Sequence, residues 1–164
     1  MMNNKEQIEV ALEEARSLLV NSRLVEAEKK TEVILEQYPE NGKALYIKAV
    51  CQRYLNRLEE ALATLRQLKK IRPGYGRAFQ EEGHVCMAAG FTSQALYAYR
   101  HAVSLNNSLI ASWASLTKIH TKQGNHDNAK ITNIEYEKLK ALPDELLSVR
   151  NMISEGHSYD AEQL

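Results

Sequence analysis

The sequence predicts an all-α fold of stacked antiparallel helix pairs, and three observations carry this prediction. Alanine recurs with a period of 34 residues, at Ala27, Ala61, Ala95 and Ala129. Five residues before each alanine stands a residue that suits a turn: Ser22, Asn56, Gly90 and Gly124. Twelve residues after the first two alanines comes a proline, at Pro39 and Pro73. Such a period is typical of a repeat protein, in which each helix pair buries its apolar face on its neighbours.

The elements follow in chain order from this plan. Residues 5–20 carry apolar side chains at three- and four-residue steps and predict a helix. A second helix should end before Pro39, because the residue preceding proline disfavours the helical conformation. The pair then recurs, with Asn or Gly at the later turns, since a helix commonly ends in a left-handed residue. After Pro143 a further helix is predicted, and Gly156 and Ala161 keep the five-residue spacing of a partial fifth repeat.

Composition limits the classes of protein that this chain can represent. Its 164 residues suit one domain, and 21 basic residues balance 21 acidic ones, so net charge indicates no partner. No apolar run approaches the roughly 20 residues of a membrane span, and the N-terminus has no apolar signal core. Cys51 and Cys86 lie in helical pattern, which favours buried, reduced thiols. These features predict a soluble cytoplasmic protein that does not bind a membrane.

The repeat resembles the tetratricopeptide repeat. Counted from Ile8, Gly42, Gly76 and Ile110, the fourth position holds Ala11, Leu45, Phe79 and Trp113, and the eighth holds Ala15, Ala49, Gly83 and Thr117. The sequence departs from the family pattern where Asn107 replaces the third proline, and where only Tyr99 supplies the expected aromatic at position 24. The resemblance implies a right-handed superhelical solenoid over residues 1–164. Its repeats would span about 8–41, 42–75, 76–109 and 110–141, with a partial fifth over 142–164.

In the resembled family, one stripe of each first helix lines a concave groove where ligands bind. Here that stripe contains seven basic residues and one acid, in a chain that is neutral overall; they are Arg16, Lys43, Arg53, Arg77, Lys118, Lys122 and Arg150, with Glu9. One interpretation is a groove for an acidic protein segment, because arginine pairs well with carboxylates. The other is a solvated face with no ligand. The predicted groove residues are Lys43, Tyr46, Arg53, Arg77, Gln80, His84, Lys118 and Lys122.

Other functional hypotheses remain from the sequence. The segment Leu105–Trp113, Gly124, Ala129 and the stretch from Gly156 resemble the repeat region of bacterial sulfotransferases, which implies a catalytic domain beyond residue 164. Because no polar capping helix follows the last repeat, we expect a fragment of a longer protein. Self-association through the apolar helix Leu146–Ile153 is a further alternative. The Asn pair that binds a C-terminal carboxylate in some family members is missing, since the corresponding positions hold Arg16 with Ile47 and Val50 with Glu81.

No catalytic chemistry is predicted for this chain. It has no phosphate-binding glycine loop, no dinucleotide fingerprint and no zinc-ligand motif. His120 and His126 are six residues apart across a turn, whereas a metal pair on one helix needs three or four. We therefore expect no catalytic residue, no metal and no cofactor. The neutral charge and the lack of a Lys/Arg tract also argue against nucleic acid. The predicted function is a non-catalytic scaffold that binds a protein or peptide of acidic character.

Overall fold

The computed structural model describes the backbone of residues 3–161 and the side chains of residues 3–155. Within this range the chain forms nine α-helices joined by short turns. The helices divide into two compact units, Met1–Ile71 and Arg72–Leu164. The all-α, helix-pair prediction is therefore confirmed for the described residues.

The first unit contains two helix pairs, α1 (Asn4–Val20) with α2 (Leu24–Gln37) and α3 (Gly42–Tyr54) with α4 (Leu58–Ile71). The chain enters α1 through a capping box, in which the Asn3 side chain accepts from the Glu6 N–H and the Glu6 carboxylate accepts from the Asn3 N–H, both at 2.9 Å. Helix α3 packs against α1, α2 and α4. The core between α1, α2 and α3 consists of small and aliphatic side chains: Leu12, Ala15, Ala27, Ile34, Ala44, Ile47 and Cys51.

The second unit contains α5 (Gly76–Ala88) with α6 (Thr92–Leu105), α7 (Ile110–Lys122) with α8 (His126–Lys140), and α9 (Asp144–Ala161). Helix α7 packs against α5, α6 and α8. The alanine ladder is fully buried at Ala27, Ala61 and Ala95, but Ala129 in α8 is only half-buried. Helix α8 is thus less covered than the equivalent helix of each earlier pair.

The four predicted turns share one backbone geometry. Ser22, Asn56, Gly90 and Gly124 have φ of 59°, 58°, 79° and 70°, the left-handed region. The residue after each one donates its N–H to the carbonyl five residues back, as in Arg23 to Leu18 at 2.8 Å and Phe91 to Cys86 at 2.8 Å. This bond closes the helix end in the Schellman pattern. The prediction of the turn residues is confirmed.

Positions 8 and 24 of the repeat are filled differently in the two units. In the second repeat, which belongs to the first unit, Ala49 and Leu65 occupy them, and both are fully buried. In the second unit they are Gly83 and Tyr99, and a Cβ on Gly83 would lie 2.5 Å from Cε1 of the Tyr99 ring. Since the ring occupies the space of a methyl group, only glycine fits opposite this tyrosine.

The predicted turn at Gly156 is wrong, because α9 continues through it to Ala161. Glycine inside a helix costs only about 1 kcal/mol relative to alanine, so it does not end a helix by itself. The end of the expected partial repeat, residues 162–164, lies outside the described residues. The assignment of residues 1–164 to a single repeat domain stays a prediction.

Candidate functional site

In the first unit, the predicted groove residue Lys43 is already paired. Its Nζ lies 2.9 and 3.0 Å from the two carboxylate oxygens of Glu9, and both side chains are 53% exposed. Glu9 and Lys43 occupy the same place in consecutive repeats, on α1 and α3. The one acid of the stripe therefore neutralises one of its bases. An exposed pair of this kind contributes little to stability.

An apolar groove lies beside the C-terminal ends of α1 and α3. Its volume is about 410 Å³, and it is lined by Leu19, Val20, Ser22, Leu24, Val50 and Tyr54. Val20 is 77% exposed and Tyr54 is 61% exposed, which is unusual for large apolar side chains grouped in one place. Four of these residues, Leu19, Val20, Val50 and Tyr54, lie on the predicted groove stripe of the first helices, beside its basic residues. Leu24, which begins α2, lies outside that stripe, so the sequence did not predict it as a groove residue.

Arg53 borders this groove. Its Cζ lies 4.1 Å from the centroid of the Tyr54 ring, in cation–π geometry. Tyr46, one helical turn from Val50, is half-buried. The structure thus brings Arg53 together with an exposed aromatic ring and aliphatic side chains. We call the six lining residues with Arg53 the α1–α3 groove.

In the second unit, three predicted groove residues on α5 make side-chain contacts with neighbouring helices. Arg77 forms an ion pair through Nε with Glu155 of α9. Gln80 accepts a 3.0 Å hydrogen bond from the Ser112 hydroxyl of α7. The third, His84, is hydrogen-bonded through Nδ1 to the hydroxyl of Tyr99 on α6, at 2.7 Å. Gln80 and His84 therefore help to hold α5 against α7 and α6.

Lys118 and Lys122 differ from the α5 residues. Both are exposed on α7, and they are four residues apart, so they project from one face of the helix. Among the described residues no hydrogen bond or ion pair of either ammonium group is seen. They form a small cationic patch on the second unit.

Helix α9 lies against the edge of the second unit where α5 and α7 begin. Arg150 donates to Asn107 at 3.4 Å, and the amide of Asn106 donates to Asn151 at 3.3 Å. A cavity of about 300 Å³ beside this contact is lined by Arg77 and by α9 residues that include Asp144, Leu147, Asn151 and Glu155. These contacts join residues that are far apart in the sequence, so no sequence motif predicts them.

Cys51, Cys86 and His120 are titratable side chains that are buried inside the helix pairs. Burial, followed by the nearby Glu28 carboxylate, raises the pKa of the Cys51 thiol to about 11, so this thiol is unreactive at neutral pH. Cys51 and Cys86 are buried free thiols, as predicted. Burial and the Arg100 guanidinium lower the pKa of His120, whose buried Nδ1 lacks a hydrogen-bond partner among the described residues.

No group of three or more His, Cys, Asp or Glu side chains among the described residues is arranged to hold a metal ion. No helix in the described part of the chain is long and apolar enough to cross a membrane.

Comparison with known proteins identifies the fold. No family model matches the chain, and no curated protein sequence is significantly similar to it. Solved structures are similar in three dimensions. A tetratricopeptide-repeat protein of Thermus thermophilus aligns with a TM-score of 0.73 and 18% identity over 92% of this chain and 82% of that protein.

Two further structures support the same assignment. MamA of Desulfovibrio magneticus RS-1 aligns with a TM-score of 0.70 and 18% identity, over 84% of this chain and 77% of MamA. The O-GlcNAc transferase of Thermobaculum terrenum aligns with a TM-score of 0.68 and 19% identity, over 73% of this chain but only 23% of the transferase. With its 34-residue helix pairs and left-handed turns, this chain has the tetratricopeptide-repeat fold.

Proposed function

We propose that this chain is a protein-interaction scaffold, and that the α1–α3 groove of its first unit binds a partner segment that combines apolar and acidic side chains. The observation that carries the proposal is the groove itself. Val20 and Tyr54 stay largely exposed there, whereas Leu12, Leu45 and Ile47 of the same two helices are buried. Exposed apolar clusters rimmed by polar groups are typical of protein-binding surfaces.

The shape of the groove favours a peptide segment over a small ligand. It is open, and it is lined by aliphatic side chains with one aromatic ring. Leu, Ile or Val side chains of a partner would cover Leu19, Val20 and Val50. Tyr54 would add a rigid contact area that loses little conformational entropy on binding.

The charge beside the groove favours an acidic segment. The Arg53 guanidinium lies over the Tyr54 ring, so it places a positive charge beside the groove that attracts a partner carboxylate. Lys43 contributes less, because Glu9 already neutralises it. In the second unit, Lys118 and Lys122 offer a separate cationic patch for carboxylates.

The alternative, that these repeats belong to a larger sulfotransferase, stays a prediction from the sequence. The groove and the cationic patch are features of binding surfaces, and neither of them requires the chain to belong to an enzyme. They would serve equally as the recognition surface of a non-enzymatic protein.

Fluorescence anisotropy with a labelled short peptide of alternating Leu and Glu tests the proposal. We expect binding that Arg53→Glu weakens about tenfold, because charge reversal replaces an attraction by a repulsion. Tyr54→Ala should weaken it as well. Arg66→Glu on α4, an exposed arginine of the same unit, is the matched control and should bind like wild type. Equal binding by all variants, or preference for a Leu–Lys peptide, would overturn the proposal.

A further inference from the structure

We infer that the edge formed by Arg77, Asn106 and Asn107 is a second binding surface, for a helical segment of a partner protein that carries an amide and, one turn later, a carboxylate, and that α9 occupies it in the free chain. The inference rests on the proposed function, because it assigns a second partner-binding surface to the same scaffold. The partner helix would replace α9.

The three residues of this edge lie together because of a close approach of two helices. A Cβ on Gly76, the residue before Arg77, would lie 3.2 Å from Cβ of Asn106 and 3.1 Å from the carbonyl oxygen of Ala102. The start of α5 is therefore packed directly on the end of α6. Asn106 is buried, and its Oδ1 accepts from the Ser108 N–H at 2.9 Å, which fixes the side chain.

Helix α9 shows what this edge accepts. Among the α9 side chains that the structure describes, residues 144–155, the half-buried ones are Leu147, Asn151, Ser154 and Glu155, which share one helical face. Asn151 and Glu155, four residues apart, meet Asn106 and Arg77 respectively. Arg150, the residue before Asn151, donates to Asn107. The edge thus recognises a helix that carries an amide and, one turn later, a carboxylate, and it also accepts a base beside the amide.

The way α9 is held makes it replaceable. No side chain of its described residues is fully buried, and its aliphatic and Met side chains Leu146, Val149, Met152 and Ile153 are exposed. The described part of α9 therefore attaches to the edge mainly by polar contacts, with Leu147 half-buried beside them, and leaves most of its apolar side chains in water. Apolar burial normally dominates helix docking, so a helix without it is easily displaced.

A peptide with the sequence of residues 144–161, labelled and added to the full-length chain, tests this inference. Wild type should bind it weakly, because the tethered α9 competes at a high effective concentration. Asn151→Ala/Glu155→Ala in the chain loosens α9 and should tighten peptide binding about tenfold. Glu137→Ala, which removes an exposed acid on α8, is the control and should bind like wild type.

Charge reversal tests whether the peptide binds through a contact between its Glu155 and Arg77 of the chain. Arg77→Glu in the Asn151→Ala/Glu155→Ala background should abolish binding of the peptide, and a peptide with Glu155→Lys should restore it. Circular dichroism and the emission of Trp113, the single tryptophan, report whether each variant is folded. Equal peptide affinity for wild type and the loosened chain, or binding that survives Arg77→Glu, would overturn the inference.

Two further results separate this inference from its alternatives. A concentration-dependent dimer that Arg77→Glu abolishes would overturn it in favour of exchange of α9 between two copies. Binding of the Leu–Glu peptide through Arg53 without any binding of the 144–161 peptide would remove the second surface and leave the proposed function intact. The reverse pattern would remove the α1–α3 groove alone.

Discussion

The two units follow one repeat plan but present different surfaces. In the first unit the α1–α3 groove is open, and Arg53 lies over an exposed tyrosine. In the second unit the α5 residues are engaged, with Arg77 bound to Glu155 of α9 and His84 bound to Tyr99. The period of the sequence therefore determines the helix pairs, whereas single non-repeating residues determine what each unit can bind.

The largest expected effect concerns the packing of Gly83. Gly83→Ala should lower the free energy of unfolding by about 1–3 kcal/mol, because the new methyl group overlaps the Tyr99 ring. Gly83→Ala/Tyr99→Leu reproduces the Ala49 and Leu65 pair of the first unit and should recover much of the loss. Urea unfolding of the three proteins measures both effects. A neutral Gly83→Ala variant would show that the two units do not differ in packing here.

A buried ion pair of the first unit has no counterpart in the second. Arg57 pairs with Glu28, whose side chain is only 8% exposed, whereas the second unit has Asn125 and Leu96 at these places. Arg57→Ala should lower the free energy of unfolding by about 1–2 kcal/mol, because it leaves a buried carboxylate unpaired.

Arg23→Ala is the matched control for that pair. Arg23 occupies the same place one repeat earlier, but it pairs only with the exposed Glu26. We expect no measurable change in its urea midpoint. Equal losses for Arg57→Ala and Arg23→Ala would contradict the importance given to Glu28.

Mild acid should weaken the second unit selectively. All five histidines lie in it, and the pKa of His120 is lowered from 6.5 by burial and by Arg100. Since the unfolded chain takes up this proton at higher pH than the folded chain, the unfolding free energy should fall as pH drops below 6.5. His120→Leu, which places the Leu18 of the first repeat at the same position, should flatten this dependence between pH 7 and pH 5. An unchanged slope in this variant would assign the effect to another group.

The smallest effect is expected at the exposed pair of the first unit. Glu9→Gln frees Lys43 but should leave the urea midpoint unchanged, because both side chains are about half exposed. It should strengthen binding of the Leu–Glu peptide slightly, since it uncovers one positive charge at the other end of α3, and unlike charges attract over such distances at low salt. Weaker peptide binding by Glu9→Gln would contradict the proposed attraction of an acidic partner.

The fold could be predicted from the sequence because its signals are local and repeated. The five-residue spacing to an alanine predicted the turns at Ser22 and Asn56. Both residues are left-handed there, although neither is glycine. The same spacing failed at Gly156, since a spacing alone does not close a helix end. The pairing of Arg77 with Glu155 spans 78 residues and depends on the direction of α9, which no periodic signal contains. The apolar α1–α3 groove was not predicted, because the prediction for the stripe depended on its charged residues and not on its exposed apolar ones.

The main difference between the units concerns two arginines: Arg53 borders the open α1–α3 groove, whereas Arg77 is paired with Glu155 of α9. Arginine side-chain NMR during titration with the Leu–Glu peptide tests this difference most directly. We predict that the Nε–Hε signal of Arg53 and the ring signals of Tyr54 shift first, and that Arg77 responds at low peptide concentration only after Glu155→Ala. Early shifts at Arg77 in the wild-type chain, with Arg53 unmoved, would contradict the assignment of the open binding surface to the first unit.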